Sequence, residues 1–283
     1  MNNIVSSSLI HFTETLEYLQ GIIKNGFRYS YCKEVYPIAL VNNIINKDKS
    51  NFEPHNILAP TGVSGTVLIP MVSFCDIPLT RSKVHADKYG YYGVGIDREL
   101  ARDIYPNLMP VQYVSSARYS IALNELSMLY SKSKETNRQI ENSIKLIIGN
   151  TKGYTTIYEG KEVLCYEERE WRVIHSDDEH TPWGWGVNDK QSKDKYNKRL
   201  HSISDLSYLS FIKIEDEVSK KMVAENIDKI ITHIIVKSEN EVQEIVKFIL
   251  NEKNMFFGYM LSMDSRLSLV SKINSFERIS RDY

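Results

Sequence analysis

The sequence predicts an α+β fold: a single domain over residues 1–283, built on a mainly antiparallel, mixed sheet with flanking helices. Three observations predict it. Candidate strands are short, helical patterns interrupt them irregularly, and the regular strand–helix alternation of a parallel sheet is missing. No internal repeat, low-complexity tract or shift of composition marks a linker. The 283 residues are 42% hydrophobic, enough for a buried core.

In chain order, Ser8-Leu9-Ile10-His11-Phe12 reads as a short strand. Leu16, Leu19, Ile22 and Ile23 then recur at helical spacing. Thr13 is the candidate cap of that helix, Glu14 and Glu17 suit its positive start, and Lys24 and Gly26 suit its end. A polar surface excursion follows over about 42–69, broken by Pro54, Pro60, Gly62 and Gly65. Met71-Val72-Ser73-Phe74-Cys75 is a strand stopped by Asp76-Ile77-Pro78, and residues 89–97 favour another despite three glycines. Residues 111–114 form a further short strand, and 116–148 read as two helices divided at 131–136. Residues 170–174 are a strand, and 176–199 a charged excursion containing Trp183-Gly184-Trp185-Gly186. Strands over 209–214 and 230–237 precede a helix opened by the capping box Ser238-x-x-Glu241, with the seam Val242, Ile245, Val246, Ile249 and Leu250. A strand near 266–273 and a short helix end the pattern.

Charge and composition narrow the function classes. The 35 Lys+Arg against 36 Asp+Glu give a formal net charge of −1, which argues against whole-protein attraction to nucleic acid or anionic lipid. No apolar run reaches the roughly 18 residues of a membrane span, and residues 1–8 lack a basic leader. The expectation is a cytoplasmic protein without a membrane partner. Cys32, Cys75 and Cys165 are scattered without a C-x-x-C pair, so a disulfide framework or zinc ribbon is excluded.

Tyr166-Glu167-Glu168-Arg169-Glu170-Trp171-Arg172-Val173 is the most informative segment. If it is extended, Glu168, Glu170 and Arg172 share one face, and Trp171 and Val173 face the core. One carboxylate can then stay ionised while a desolvated neighbour holds a proton or polarises a hydroxyl. The same spacing also fits a solvated charged strand with surface ion pairs. His11 stands just before a helix start, where N–H groups favour an anion, and with Thr13 forms a hydrogen-bonding pair; a half-buried histidine on a backbone carbonyl is equally consistent. Gly90-x-x-Gly93-x-Gly95 lies in a predicted strand, so it is no dinucleotide fingerprint; such glycines let a ligand or another backbone approach. Tyr89, Tyr91 and Tyr92 offer stacking faces. His175-x-Asp177-Asp178-Glu179-His180 matches no standard metal spacing and reads as a hydrated loop, so no metal site is expected. No Gly-x-Ser-x-Gly elbow or Cys-His arrangement points to a nucleophile, and Cys75 reads as core.

Several blocks resemble the AbiGi family of abortive-infection phage-resistance loci. They are Leu9-Ile10-His11-Phe12-Thr13, Leu19-x-x-Ile22-x-x-x-Gly26-Phe27, Pro70-Met71-Val72-Ser73-Phe74-Cys75-Asp76-Ile77-Pro78-Leu79, and His85-x-x-x-Tyr89-Gly90-x-Tyr92-Gly93-Val94-Gly95-Ile96, continuing through Glu168–Arg172 to the terminal segment Ile273–Tyr283, so that the resemblance covers most of the chain. The resemblance implies an antitoxin-like component of a two-gene system, with a cognate toxin or another defence-system protein as partner. His11-Phe12-Thr13, the helix ending at Gly26 and Glu170 also resemble ADP-ribosyltransferases, including DNA-modifying ones. That resemblance implies an ADP-ribosyltransferase-like sheet with NAD as substrate and a nucleic acid or protein as acceptor. His11 and Thr13 would grip NAD, Tyr89 or Tyr92 would line the nicotinamide pocket, Glu170 would be catalytic and Glu168 would orient the acceptor. Arg172 would bind a phosphate or pair with Glu170. A fixed carboxylate is of the right sign for the charge that builds on the ribose. The expectation is therefore a phage-defence protein with an NAD site framed by His11 and Glu170. The alternative is a non-catalytic antitoxin or sensor that binds a toxin or phage protein.

Overall fold

In β1 (Ser8–Thr13), Leu9, Ile10 and Phe12 put apolar side chains on both sides of the pleat, and the strand lies inside a sheet covered on both faces. The computed structural model describes residues 7–36, 65–105, 107–114, 138–158, 161–175, 181–187, 189–202, 208–209 and 226–282, with single positions at 41, 125 and 128. α1 (Leu16–Asn25) buries Leu19, Ile22 and Ile23. Its cap is Thr15 rather than Thr13: Thr15 Oγ1 accepts from Tyr18 N at 3.2 Å, while Thr13 is still paired with Tyr92. Gly26 ends the helix at φ 91°, donating its N–H to Ile22 O at 2.8 Å.

The chain continues through β2 (Phe27–Arg28), β3 (Ser30–Val35), β4 (Thr66–Cys75), α2 (Lys83–Tyr89), β5 (Tyr92–Asp97), α3 (Arg98–Ile104), β6 (Leu108–Pro110) and β7 (Gln112–Val114). Next come α4 (Arg138–Gly149), β8 (Thr151–Gly153), β9 (Thr155–Tyr158), β10 (Lys161–Leu164), β11 (Glu170–Ile174), β12 (Gly184–Trp185), α5 (Lys190–Ser202) and β13 (Tyr208–Leu209). β14 (Ile231–Val236), α6 (Glu239–Leu250), α7 (Met263–Val270), β15 (Ile273–Ser275) and α8 (Phe276–Asp282) follow. The main sheet runs β15-β14-β5-β1-β4-β11-β6, with β3 and β12 also on β4. Its pairs are antiparallel except β14 with β15, so the fold is α+β on a mixed, mostly antiparallel sheet.

The two faces carry different cores. Leu9, Phe74, Val94, Val173 and Ile234 meet residues of α1, α5, α6 and α7 on one. On the other, Ile10, Phe12 and Cys75 meet α2 and α8, while Val67, Ile69, Met71 and Ile174 meet Ile148 of α4. Cys75 is buried there as predicted, its Sγ 3.4 Å from Ile10 O.

Several elements depart from the sequence reading. Residues 66–69 belong to β4 instead of the excursion, Tyr89 ends a helix instead of opening a strand, and α5 begins inside the second excursion. The segment read as a strand near 266–273 is mostly α7, opened by Ser262, whose Oγ accepts from Ser265 N at 3.1 Å. Arg266 turns inward from α7 and donates to the carbonyls of Ile249, Asn251, Asn254 and Leu261, closing the C-terminal end of α6. Residues 42–64, most of 115–137, 176–180 and 210–214 lie outside the described residues, and with them much of the predicted first excursion, the divided helical stretch and the charged loop after His175. Among the described residues no helix is long and apolar enough to cross a membrane, and no group of three or more His, Cys, Asp or Glu is placed to hold a metal ion.

The capping box of α6 forms and does a second job. Glu241 accepts from Ser238 N at 2.8 Å and, with its other oxygen, from Tyr92 OH of β5 at 2.6 Å. Replacing Glu241 by alanine removes both, and urea unfolding is expected to show a loss of about 1–2 kcal/mol.

Candidate functional site

β11 places Glu170 and Arg172 on the face that carries Ile10 and Cys75, because Ile10 lies opposite Cys75 and Cys75 opposite Glu170. Arg172 is fully buried. Its Nε donates to Glu170 Oε1 at 2.8 Å and its Nη2 to Glu170 Oε2 at 2.9 Å, a bidentate fork. The same guanidinium reaches Glu34 Oε1 of β3 and the Gly149 carbonyl at the end of α4, both at 2.6 Å. The alternative of a solvated charged strand gives way to a buried ionic centre.

Lys152 of β8 extends this centre outward. Its Nζ lies 3.1 Å from Glu170 Oε2 and 2.7 Å from Glu168 Oε2. Glu168 is not on the strand as the alternation predicts. It closes a 3-10 turn (Cys165–Glu168), and Arg169 follows with φ 43°, in the left-handed region. The bend still returns the Glu168 carboxylate to the network, where α2 meets it. Lys88 Nζ is 2.7 Å from Oε1, and Tyr89 OH donates to the same oxygen at 3.2 Å. Tyr113 OH accepts from Glu170 N at 2.9 Å.

The electrostatics follow from this burial. Desolvation opposes ionisation of Glu170, but Arg172 and Lys152 outweigh it and hold the carboxyl well below the usual range. Glu168 is also lowered: burial works against it, and Lys152 and Lys88 prevail. At Glu34 burial wins over Arg172 and Lys152, and its pKa is raised. Burial works against the Lys152 ammonium too, yet the surrounding carboxylates, Glu170 foremost, raise its pKa. Burial pushes Tyr89 up to about 12.

The expected frame of His11 and Glu170 does not form. His11 sits on the opposite face of the sheet, opposite Val94, with its ring 5.3 Å from Phe27 and 5.9 Å from Phe74 and Nδ1 2.8 Å from Ser73 O. Burial lowers its pKa. Thr13 and Tyr92 pair on that same side, and the Tyr92 hydroxyl is turned to Glu241. The structure therefore separates His11, Thr13 and Tyr92 from Glu168, Glu170, Arg172 and Tyr89. The residues expected to hold NAD thus lie on two faces of the sheet rather than in one pocket. The close approach of another backbone expected at the glycines is found at Gly90 and Gly93, whereas Gly95 faces the side chains of His233 and Thr232. A Cβ on Gly90 would run into the backbone of Thr13, and one on Gly93 would lie 3.1 Å from His11 O.

Lys88, Lys152, Glu34 and Tyr113 belong to the site without having been singled out in the sequence. The spacing of His85 and Tyr89, one helical turn apart, is a signal that could have placed α2. No curated protein and no solved structure matches the chain. A family model described as abortive phage resistance protein AbiGi, antitoxin, matches residues 39–215. That span includes α2, Lys152 and β11, hence most of the ionic network, and leaves out His11 and Thr13. Because it covers more than half of the sequence, the chain belongs to the AbiGi family.

Proposed function

We propose that the chain is the antitoxin component of an abortive-infection phage-defence system and acts by binding a cognate toxin. The match over residues 39–215 carries this reading, since the family is described as an antitoxin. The ionic network supports it. Both Glu170 oxygens are engaged by Arg172 and Lys152 in a buried fork, an arrangement that suits a structural role more readily than turnover. Co-expression with the product of the adjoining gene tests the reading. Growth is rescued and the two chains co-elute as one complex; persistent toxicity with separate elution would refute it.

A second reading, ADP-ribosyl transfer from NAD to a protein or nucleic acid, draws on the contact between Tyr89 and Glu168 beside Glu170 and Arg172. In that case purified protein consumes NAD, and Glu170→Gln lowers the rate by about 10²–10³. No consumption by either protein counts against it.

A further inference from the structure

Among the described residues, the buried side-chain atoms without a hydrogen-bond partner are Asp76 Oδ1, His85 Nε2 and Asn150 Oδ1. All three border the ionic network. Asp76 follows the residue paired with Glu170, His85 is one helical turn before Lys88 and Tyr89, and Asn150 is two residues before Lys152. A buried orphan of this kind costs about 1–3 kcal/mol and calls for an explanation. His85 is only 9% exposed and its ring lies 6.2 Å from that of Tyr89; burial lowers its pKa against the pull of the Glu168 carboxylate and a hydrogen bond to the Glu168 backbone, while Nε2 stays without a partner.

Beside it, two ammonium groups and a phenol converge on a single carboxylate. Lys88 Nζ and Lys152 Nζ each lie 2.7 Å from a Glu168 oxygen, and Tyr89 OH lies at 3.2 Å. Glu168 has no guanidinium fork to hold it, unlike Glu170, and it stands at the end of a short turn. Tyr154, two residues after Lys152, and Tyr166, two before Glu168, stack their rings at 5.6 Å, with 44% and 48% of their surfaces exposed.

We propose that Lys88, Lys152, Tyr89 and His85 form an oxyanion niche for the phosphate group of a small ligand, and that the Glu168 carboxylate occupies the phosphate's place in the free protein. A phosphate brings more negative charge and one more acceptor oxygen than a carboxylate, which suits two point-charge ammonium groups and favours the imidazolium of His85, whose Nε2–H can then donate to it. Glu168 is a tethered competitor, with an effective concentration in about the millimolar range, so binding to the wild-type chain is weak and relief of that competition is the signature. The tyrosine pair offers a flat face to any ring the ligand carries. The niche goes beyond toxin binding and does not depend on it.

Titration calorimetry with inorganic phosphate, adenosine 5′-monophosphate and ribose 5-phosphate tests the proposal. Glu168→Gln is expected to bind inorganic phosphate at least about tenfold more tightly than wild type. Adding Lys88→Met or His85→Ala removes most of that gain. Tighter binding of adenosine 5′-monophosphate than of ribose 5-phosphate assigns the ring to the tyrosines, and equal binding assigns recognition to phosphate alone; both support the niche. A Glu168→Gln chain that melts cooperatively but binds phosphate no better than wild type would overturn it. Should that variant not fold, phosphate must raise the melting temperature of wild type more than that of Lys88→Met, and equal shifts would overturn the proposal instead.

Discussion

Replacing Arg172 by methionine is expected to destabilise the fold by about 3–5 kcal/mol, read from urea unfolding. The guanidinium is fully buried and serves Glu170, Glu34 and the Gly149 carbonyl at once. Methionine fills much of its length but leaves two desolvated carboxylates without their main cation. Lysine keeps the charge and loses the fork, so Arg172→Lys should fall between wild type and the methionine variant. Adding Glu170→Gln to Arg172→Met removes one stranded charge and should recover about 1–3 kcal/mol; simple additivity would show that the pair is not coupled. The acid limb of the stability curve carries the same information. Glu170 and Glu168 are lowered in the folded state, so their contribution is complete above the unfolded value of roughly 4.3 and is lost as pH falls through the folded one. Glu34, raised by burial, has the opposite sign, and its contribution is lost as pH rises through its folded value. Without Arg172 the Glu170 carboxyl loses the cation that depresses it, and the acid slope flattens.

The second large effect is expected at Gly90, where alanine should cost about 3 kcal/mol or more in the same measurement. Gly90 has φ 108° and ψ 159°, a backbone region that is almost the preserve of glycine. A Cβ there would also collide with the carbonyl of Thr13 and with Glu14 Cα, which are backbone and cannot swing aside. Relief would require β1 to part from the end of α2. Because Tyr89 precedes Gly90, its hydroxyl would be drawn from Glu168, and the 3.2 Å contact between them would be lost. Gly21 makes the control: a Cβ there meets nothing, and alanine in the middle of α1 should stabilise by about 0.5–1 kcal/mol.

Local features were readable in the sequence. The bounds of β11, the capping box at Ser238 and the glycine stop at Gly26 each depend on a few neighbouring residues. The site depends on register, which is not local. β1 is buried on both faces, so its residues show no alternation to say which way His11 points. The parity is set only when Ile10 meets Cys75 and Cys75 meets Glu170, and one residue of slip would have put His11 on the same face as Glu170, across β4 from it. Lys88 and Lys152 are isolated lysines in sequence and acquire meaning only because α2 and β8 bring them to one turn. In α7, Leu267 and Leu269 alternate as in a strand, whereas Ser262 was the signal that a helix begins.

The strand order has a kinetic consequence. β1, from the start of the chain, is central, while β5 waits for β14 from near the end: Ile96 pairs with Ile231. A topology with such distant partners has high contact order and should fold in milliseconds to seconds once complete. On the ribosome, at about 5–20 residues per second, the outer edge of β5 stays open for on the order of ten seconds before its neighbour emerges. That interval, more than the finished molecule, is when the nascent chain is most exposed to chaperones, proteases and premature strand pairing.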